Sequence, residues 1–184
     1  MKFNKYKYPY VVEQDDILIF QKLLVIASKR FVHLEILEWG CGGSTVYYPA
    51  YLDKLDIKYN WLSIEHHAGW HRKISGLINS RTQVKLFQVP SRYIRKCETE
   101  SNPIKQAYIE YPLTLDKKYS LIYIDGRFRM KCLKTALKVL DDNGIIFIDN
   151  ADYPHYQESL NGIADGKFIK PHLWMLDNGH RQTA

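Results

Sequence analysis

Residues 33–45 read His33-Leu34-Glu35-Ile36-Leu37-Glu38-Trp39-Gly40-Cys41-Gly42-Gly43-Ser44-Thr45. His33 to Glu38 is a short strand by pattern, and it runs straight into a glycine-rich turn with Ser44 placed to cap a following helix. Glycines there, Gly42 among them, let the chain turn sharply and let a ligand approach the backbone. Val46 to Leu52 continues as helix, limited or kinked at Pro49. The dinucleotide fingerprint G-x-G-x-x-G is not met, because Thr45 stands where its third glycine belongs, so a pyrophosphate cofactor is disfavoured.

Working outward, strands and helices alternate. Asp15 and Asp16 cap a helix predicted through Arg30, with Ile17, Phe20, Leu23, Leu24 and Ala27 at helical spacing. Asn60 to Glu65 is a second strand, followed by a helix from about Ala68 to Ile78 with Trp70, Ile74, Leu77 and Ile78 on one face. Val84 to Val89 is a third strand. Ser120 to Asp125 and Gly144 to Asp149 are continuous apolar runs of the kind found in parallel strands buried on both faces. The helix between them is read with Met130, Leu133, Leu137 and Leu140 inward. The pattern predicts an α/β fold, a mostly parallel central sheet with helices on both faces, in one domain spanning 1–184. Residues 1–32 form its covering segment, and ligands belong at the carboxyl ends of the strands. Ser91 to Tyr119 is an insertion longer than an ordinary connection, hence functional or mobile.

The chain has 184 residues, 46% of them hydrophobic and 25% charged, which excludes a disordered chain. Its longest apolar stretch, Ile17 to Ser28, is interrupted by Gln21 and Lys22 and is too short to cross a bilayer, so a cytoplasmic protein is expected. Cys41, Cys97 and Cys132 are an odd set without metal-ligand spacing, read as free thiols in a reducing compartment. The net charge of +6 concentrates in residues 81–140, with thirteen Lys or Arg against five Asp or Glu. That is a solvated basic surface first, and an attraction for an anionic partner second.

Glu65 ends the second strand 25 residues beyond Gly40, where a carboxylate accepts hydrogen bonds from both hydroxyls of a ribose. With the glycine turn it specifies a ligand carrying a nucleoside. At this point the sequence resembles the class I S-adenosylmethionine-dependent methyltransferases, from about His33 to Tyr156. Glu38-x-Gly40-x-Gly42-Gly43-Ser44-Thr45 resembles their first motif, Ser63-Ile64-Glu65-His66 with Trp70 the second, and Ile124-Asp125-Gly126-Arg127-Phe128-Arg129 the fourth-strand motif. Ile148-Asp149-Asn150-Ala151-Asp152 stands where the fifth-strand loop belongs. Asp-Gly-Arg-x-Arg, then Asp-Asn and Pro-x-Tyr, resembles a bacterial-type group within that superfamily.

The resemblance implies a Rossmann-like methyltransferase fold and S-adenosylmethionine as cofactor. By it, Glu38 and the turn from Gly40 through Cys41, Gly42 and Gly43 to Ser44 and Thr45 hold the methionine part. Glu65 takes the ribose, and His66 with Pro90 to Arg92 takes the adenine, Gln88 or Ser91 meeting its amino group. Asp125 faces the sulfonium and the acceptor.

Asp125, Asp149 and Asn150, at the ends of neighbouring strands, offer hard oxygen ligands suited to Mg²⁺. The set resembles the metal site of catechol-type and caffeoyl-coenzyme-A-type O-methyltransferases, except that Gly126, Arg127 and Phe128 follow the first aspartate where that family has a lysine. The alternative is that Asp149 and Asn150 only orient their loop. His155, His66 or His67 is a candidate base. Arg127 and Arg129 either clamp an anionic acceptor or pair with Asp125 or Asp152. Tyr6, Tyr8 and Tyr10, and Tyr108, Tyr111, Tyr153 and Tyr156, either stack on a sugar or planar acceptor or pack in the core and rim.

The leading expectation is an O-methyltransferase acting on a small molecule or glycan. A nucleic-acid methyltransferase is favoured by the basic segment but lacks an Asp-Pro-Pro-Tyr-like clamp and a Pro-Cys nucleophile; a non-catalytic nucleoside-binding scaffold is the other alternative. Methyltransferases of this class close their sheet with a late antiparallel strand. Only Lys167 to Ile169, Leu173 to Leu176 and His180 to Ala184 are available for it, and the sequence leaves open whether that strand is complete.

Overall fold

Seven strands form one sheet in the order β3-β2-β1-β4-β5-β7-β6. The computed structural model describes residues 14–95 and 101–179. Along the chain run α1 (Gln14–Arg30), β1 (Leu34–Trp39), α2 (Gly43–Lys54), β2 (Tyr59–Glu65), α3 (Ala68–Ser75), β3 (Thr82–Leu86), α4 (Ser91–Arg95) and α5 (Pro103–Glu110). A 3-10 turn (Tyr111–Thr114), β4 (Tyr119–Ile124), α6 (Arg129–Val139), β5 (Leu140–Ile148), α7 (Pro154–Asn161), β6 (Gly166–Lys170) and β7 (Leu173–Asp177) follow. The first five strands are mutually parallel, and β7 enters antiparallel to β5. The expected α/β sheet is therefore present.

The two faces follow from alternation along the strands. Leu34, Ile36, Leu121, Tyr123, Ile145 and Phe147 pack under α1 and α2, where Phe20 touches Tyr48, Tyr123 and Phe147 ring to ring. Leu37, Trp39, Ile122, Ile124, Ile146 and Ile148 pack under α5, α6 and α7.

The closing strand is not cut short. Leu173–Asp177 pairs with Ile145–Ile148, and Gly166–Lys170 pairs outside it. Charged contacts tie this hairpin to α1: Arg30 forks onto Asp177 at 2.6 and 3.0 Å, and buried Asp16 receives Lys170 at 2.6 Å and His172 at 2.9 Å. The sequence signal was short because the hairpin relies on these pairs rather than on length.

Three helix readings shift. Pro49 does not end its helix, which starts at Gly43 and continues to Lys54 while Tyr47, Tyr48 and Leu52 are buried. α3 stops at Ser75, so Leu77 is exposed. On α6 the inner face is Cys132, Leu133, Ala136 and Val139, with Leu137 exposed and Leu140 already in β5. Arg129, in the first turn, is buried with this face. The insertion holds α4, α5 and the 3-10 turn. The tyrosines at 6, 8 and 10, Cys97 and His180 to Ala184 lie outside the described residues.

The α1 and α2 face also buries a carboxyl group. Glu38 follows Leu34 and Ile36 at the alternating spacing and is fully buried. Its carboxylate accepts from the Ser44 hydroxyl, from Thr45 Oγ1 at 2.7 Å and from Trp61 Nε1 at 2.9 Å. Burial pushes its carboxyl up to about 7 against those hydrogen bonds. The folded chain therefore holds a proton that the unfolded chain releases near pH 4.5, and stability falls as pH rises from there through about 7. Urea titrations of Glu38→Gln between pH 4 and 8 are expected to lose that decline, and Glu38→Ala, which strands three donors, is expected to lose ~3 kcal/mol or more at pH 5.

Candidate functional site

In a sheet ordered β3-β2-β1-β4-β5, the chain leaves β1 and β4 toward opposite faces, and the crevice between their carboxyl ends is where a ligand enters. Here two glycines meet at that point. Gly40 has φ +94°, and a Cβ on it would lie 2.8 Å from Gly126 Cα. A Cβ on Gly126 would lie 2.2 Å from the Tyr108 hydroxyl and 2.9 Å from the Trp39 carbonyl carbon. The backbone closes the crevice floor through Asp125 N–H to the Trp39 carbonyl (3.0 Å) and Gly40 N–H to the Ile64 carbonyl (2.8 Å). Gly42 is different from expectation: its φ of −172° is extended backbone, and nothing lies within 4 Å of a Cβ built there. The conformational demand of the turn falls on Gly40.

Above this floor is a cleft of about 350 Å³ lined by Gly40, Cys41, Glu65, His66, Trp70, Asp125, Gly126, Arg127, Arg129, Asn150 and Tyr153. It brings together Gly40, Cys41, Glu65, His66, Asp125, Arg127 and Asn150 of the sequence-derived set. Glu38, Gly42, Gly43, Ser44, Thr45, Ser91, Asp149 and His155 are not part of its wall. Ser44 and Thr45 are spent on Glu38 beneath the turn, and Thr45 Oγ1 also accepts from Gly42 N–H at 2.9 Å.

Glu38 and Glu65, both buried, are shifted in opposite directions. Glu65 Oε2 accepts from Cys41 N–H at 2.8 Å, and Oε1 accepts from the N–H groups of His66 and His67 at 2.8 and 2.6 Å. Burial pushes its carboxyl up, but His66 and these amides outweigh it and hold the group below the usual glutamate range. Glu65 is thus an ionised acceptor in the cleft wall at neutral pH, with Oε2 carrying one amide. His67 caps α3 through Trp70 N–H, and this turns Trp70 into the cleft rather than the core.

At the other end, the guanidinium of Arg129 bridges two strand ends. Its Nη2 donates to the Asp125 carbonyl (3.0 Å), to Asp125 Oδ1 (2.9 Å) and to Asn150 Oδ1 (2.9 Å). Asp149 Oδ1 accepts from Asn150 N–H at 2.7 Å. Burial and the Asp149 carboxylate push the Asp125 carboxyl up to about 7, with Arg129 pulling it down, and about 35% of the side chain opens to the cleft. Among the described residues no three His, Cys, Asp or Glu side chains assemble a metal-ligand group. Of the three residues expected to hold Mg²⁺, Asp125 and Asn150 both accept from the Arg129 guanidinium, and Asp149 accepts from Asn150 N–H.

Phe128 has φ +59°, which buries its ring and leaves Arg127 exposed at the cleft with no carboxylate in ion-pair reach among the described residues. His155 is exposed on α7, its ring 4.1 Å from that of Tyr156 and 5.8 Å from that of Tyr153. Tyr108 is buried below the floor, its ring edge-on to His66 and Phe128, and its carbonyl accepts from Trp39 Nε1 at 3.0 Å. The insertion therefore supports the site from beneath. Trp70, on the apolar face of α3 by spacing and beside Ser63-Ile64-Glu65-His66 by resemblance, lines the cleft.

No protein-family model matches the chain, and no curated protein matches it in sequence. Solved structures do share its fold. A methyltransferase-like protein from Silicibacter pomeroyi superposes with a TM-score of 0.59 at 16% identity, over 91% of this chain and 88% of that one. CalS11, a TDP-rhamnose 3'-O-methyltransferase of calicheamicin biosynthesis, gives 0.59 at 13% identity, over 92% and 82%. Spermidine synthase from Thermotoga maritima gives 0.52 at 13% identity, over 92% of this chain and 62% of that one. The architecture is the Rossmann-like α/β one that these structures share.

Gly126→Ala is expected to destabilise the fold by about 1–3 kcal/mol, because its Cβ enters space filled by Tyr108 and the Trp39 backbone. Adding Tyr108→Phe should restore part of that loss, as read by thermal unfolding; equal destabilisation of the single and double variants would show that the tyrosine contact is not the constraint.

Proposed function

We propose that the chain transfers the methyl group of S-adenosylmethionine to a hydroxyl oxygen of a small molecule or glycan. The observation that carries this reading is Glu65: an ionised carboxylate in the wall of the crevice, fixed by three backbone amides beside the glycine turn, suited to accept from ribose hydroxyls. Gly40 and Cys41 present backbone to the same ligand, with His66 and Trp70 offering ring faces to its base. When bound, S-adenosylmethionine supplies an electrophilic methyl on a sulfonium and leaves as the thioether S-adenosylhomocysteine.

The chain's own part is to orient the acceptor and take its proton. Asp125 is the group for that proton, since it opens to the cleft and its carboxyl is held near 7 by burial and Asp149. His155, outside the cleft wall, is not needed for it. Arg127 and Tyr153 flank the acceptor end, the one an exposed cation and the other a half-exposed ring, which suits a sugar or planar acceptor carrying negative charge. The TDP-rhamnose 3'-O-methyltransferase with this fold supports a sugar hydroxyl as acceptor. Of the basic segment, Arg127 and Arg129 reach the cleft wall, whereas Lys131, Lys134 and Lys138 do not.

S-adenosylhomocysteine is expected to raise the melting temperature by binding the folded state. In Glu65→Ala its affinity is expected to fall by about 5- to 150-fold, the loss of ~1–3 kcal/mol that follows removal of a charged hydrogen-bond acceptor. Equal affinity of parent and variant, measured calorimetrically, would take Glu65 out of the site.

A further inference from the structure

The acceptor end of the cleft is built around a buried arginine. Asp125 ends β4 and Asn150 follows β5, so their oxygens face each other across neighbouring strands. Those oxygens, with Asp149, are the hard donors that a divalent ion would need. Arg129 reaches back four residues from the first turn of α6 and lays Nη2 between Asp125 Oδ1 and Asn150 Oδ1, at 2.9 Å from each. It is 8% exposed, and its charge faces Asp125, Asp149 and the Tyr156 hydroxyl. The phase of α6, the left-handed Phe128 and the left-handed Asn150 (φ +47°) all belong to this arrangement.

From this we infer that the chain carries its own cation where a divalent ion would otherwise sit: Arg129 is the positioning residue of a metal-independent acceptor end. The argument is one of occupancy and charge. A divalent ion binds oxygens at about 2.0–2.6 Å, and it cannot share Asp125 Oδ1 and Asn150 Oδ1 with a guanidinium already bonded to both. Adding two positive charges beside a buried third is unfavourable as well. The planar fork suits this place, since one guanidinium nitrogen serves a carboxylate and an amide oxygen at once. The inference assumes the methyl-transfer reading only in calling this the acceptor end; whether the oxygens bind metal is independent of it.

The test uses Mn²⁺ as the probe, followed by the loss of its free-ion paramagnetic resonance signal, on the parent, Arg129→Met and the double variant Arg129→Met/Asp149→Ala. S-adenosylhomocysteine binding is measured in parallel. The parent is expected to leave millimolar Mn²⁺ free. Arg129→Met is expected to bind Mn²⁺ at least tenfold more tightly, and the double variant to lose that gain. Binding of Mn²⁺ by the parent that Asp149→Ala abolishes overturns the inference. A folded Arg129→Met that gains no Mn²⁺ overturns it too, because the oxygens would then not be a displaced metal set. If Arg129→Met does not fold, the parent and Asp149→Ala decide by themselves. Failure of S-adenosylhomocysteine to bind the parent would sink the methyl-transfer reading and leave the metal result standing.

Discussion

A carboxylate buried on an apolar sheet face has to be satisfied where it lies, and Glu38 makes that demand at the most consequential point of the chain. It sits at the end of β1 with Leu34 and Ile36, among aromatic rings of α1, α2 and β2. Meeting its hydrogen-bond capacity draws the hydroxyls of Ser44 and Thr45 and the indole of Trp61 to one spot. That fixes the first turn of α2 relative to β1 and β2, and the chain between them has no choice but the tight turn through Gly40. The glycine turn is thus shaped from below by an acid that does not itself form the cleft wall.

The same economy runs through the rest of the site. Gly40 and Gly126 touch backbone to backbone where the sheet order reverses, and neither tolerates a side chain. Tyr108, delivered by the insertion, closes the gap beneath them and is held by Trp39. Above the floor the ionisable groups divide by environment. Glu65 is kept ionised by amides, whereas Asp125 is kept near 7 by burial and a second carboxylate. An acceptor of hydrogen bonds and an acceptor of protons are what those two states are good for.

Much of this was legible in the sequence, for identifiable reasons. Uninterrupted apolar runs such as Ser-Leu-Ile-Tyr-Ile admit only a strand buried on both faces, so the parallel core followed at once. Glu65 was placed because strand-end position is a matter of counting. What escaped were features set by contacts distant in sequence. The inner face of α6 is Cys132, Leu133, Ala136 and Val139, an apolar period that competes in the sequence with Met130, Leu133, Leu137 and Leu140, and Arg129 bonds to Asp125 and Asn150 at its start. Gly42 and Gly40 look alike in a glycine-rich turn, yet only Gly40 takes a left-handed conformation. The partners of Glu38 were not legible for the same reason, since a motif shows that an acid is present and not which way it faces. The closing hairpin escaped because Asp16, more than 150 residues away, supplies part of its anchoring.

The central claim is that the crevice between β1 and β4 holds a nucleoside thioether, with Glu65 on the ligand and Glu38 beneath the turn. A crystal structure of the complex with S-adenosylhomocysteine tests it most directly. The account predicts both ribose hydroxyls within about 2.6–3.2 Å of Glu65 oxygens, the sulfur toward Asp125, and Glu38 still bonded to Ser44, Thr45 and Trp61. A ligand seated elsewhere, or a crevice that stays empty at saturating S-adenosylhomocysteine, would contradict it.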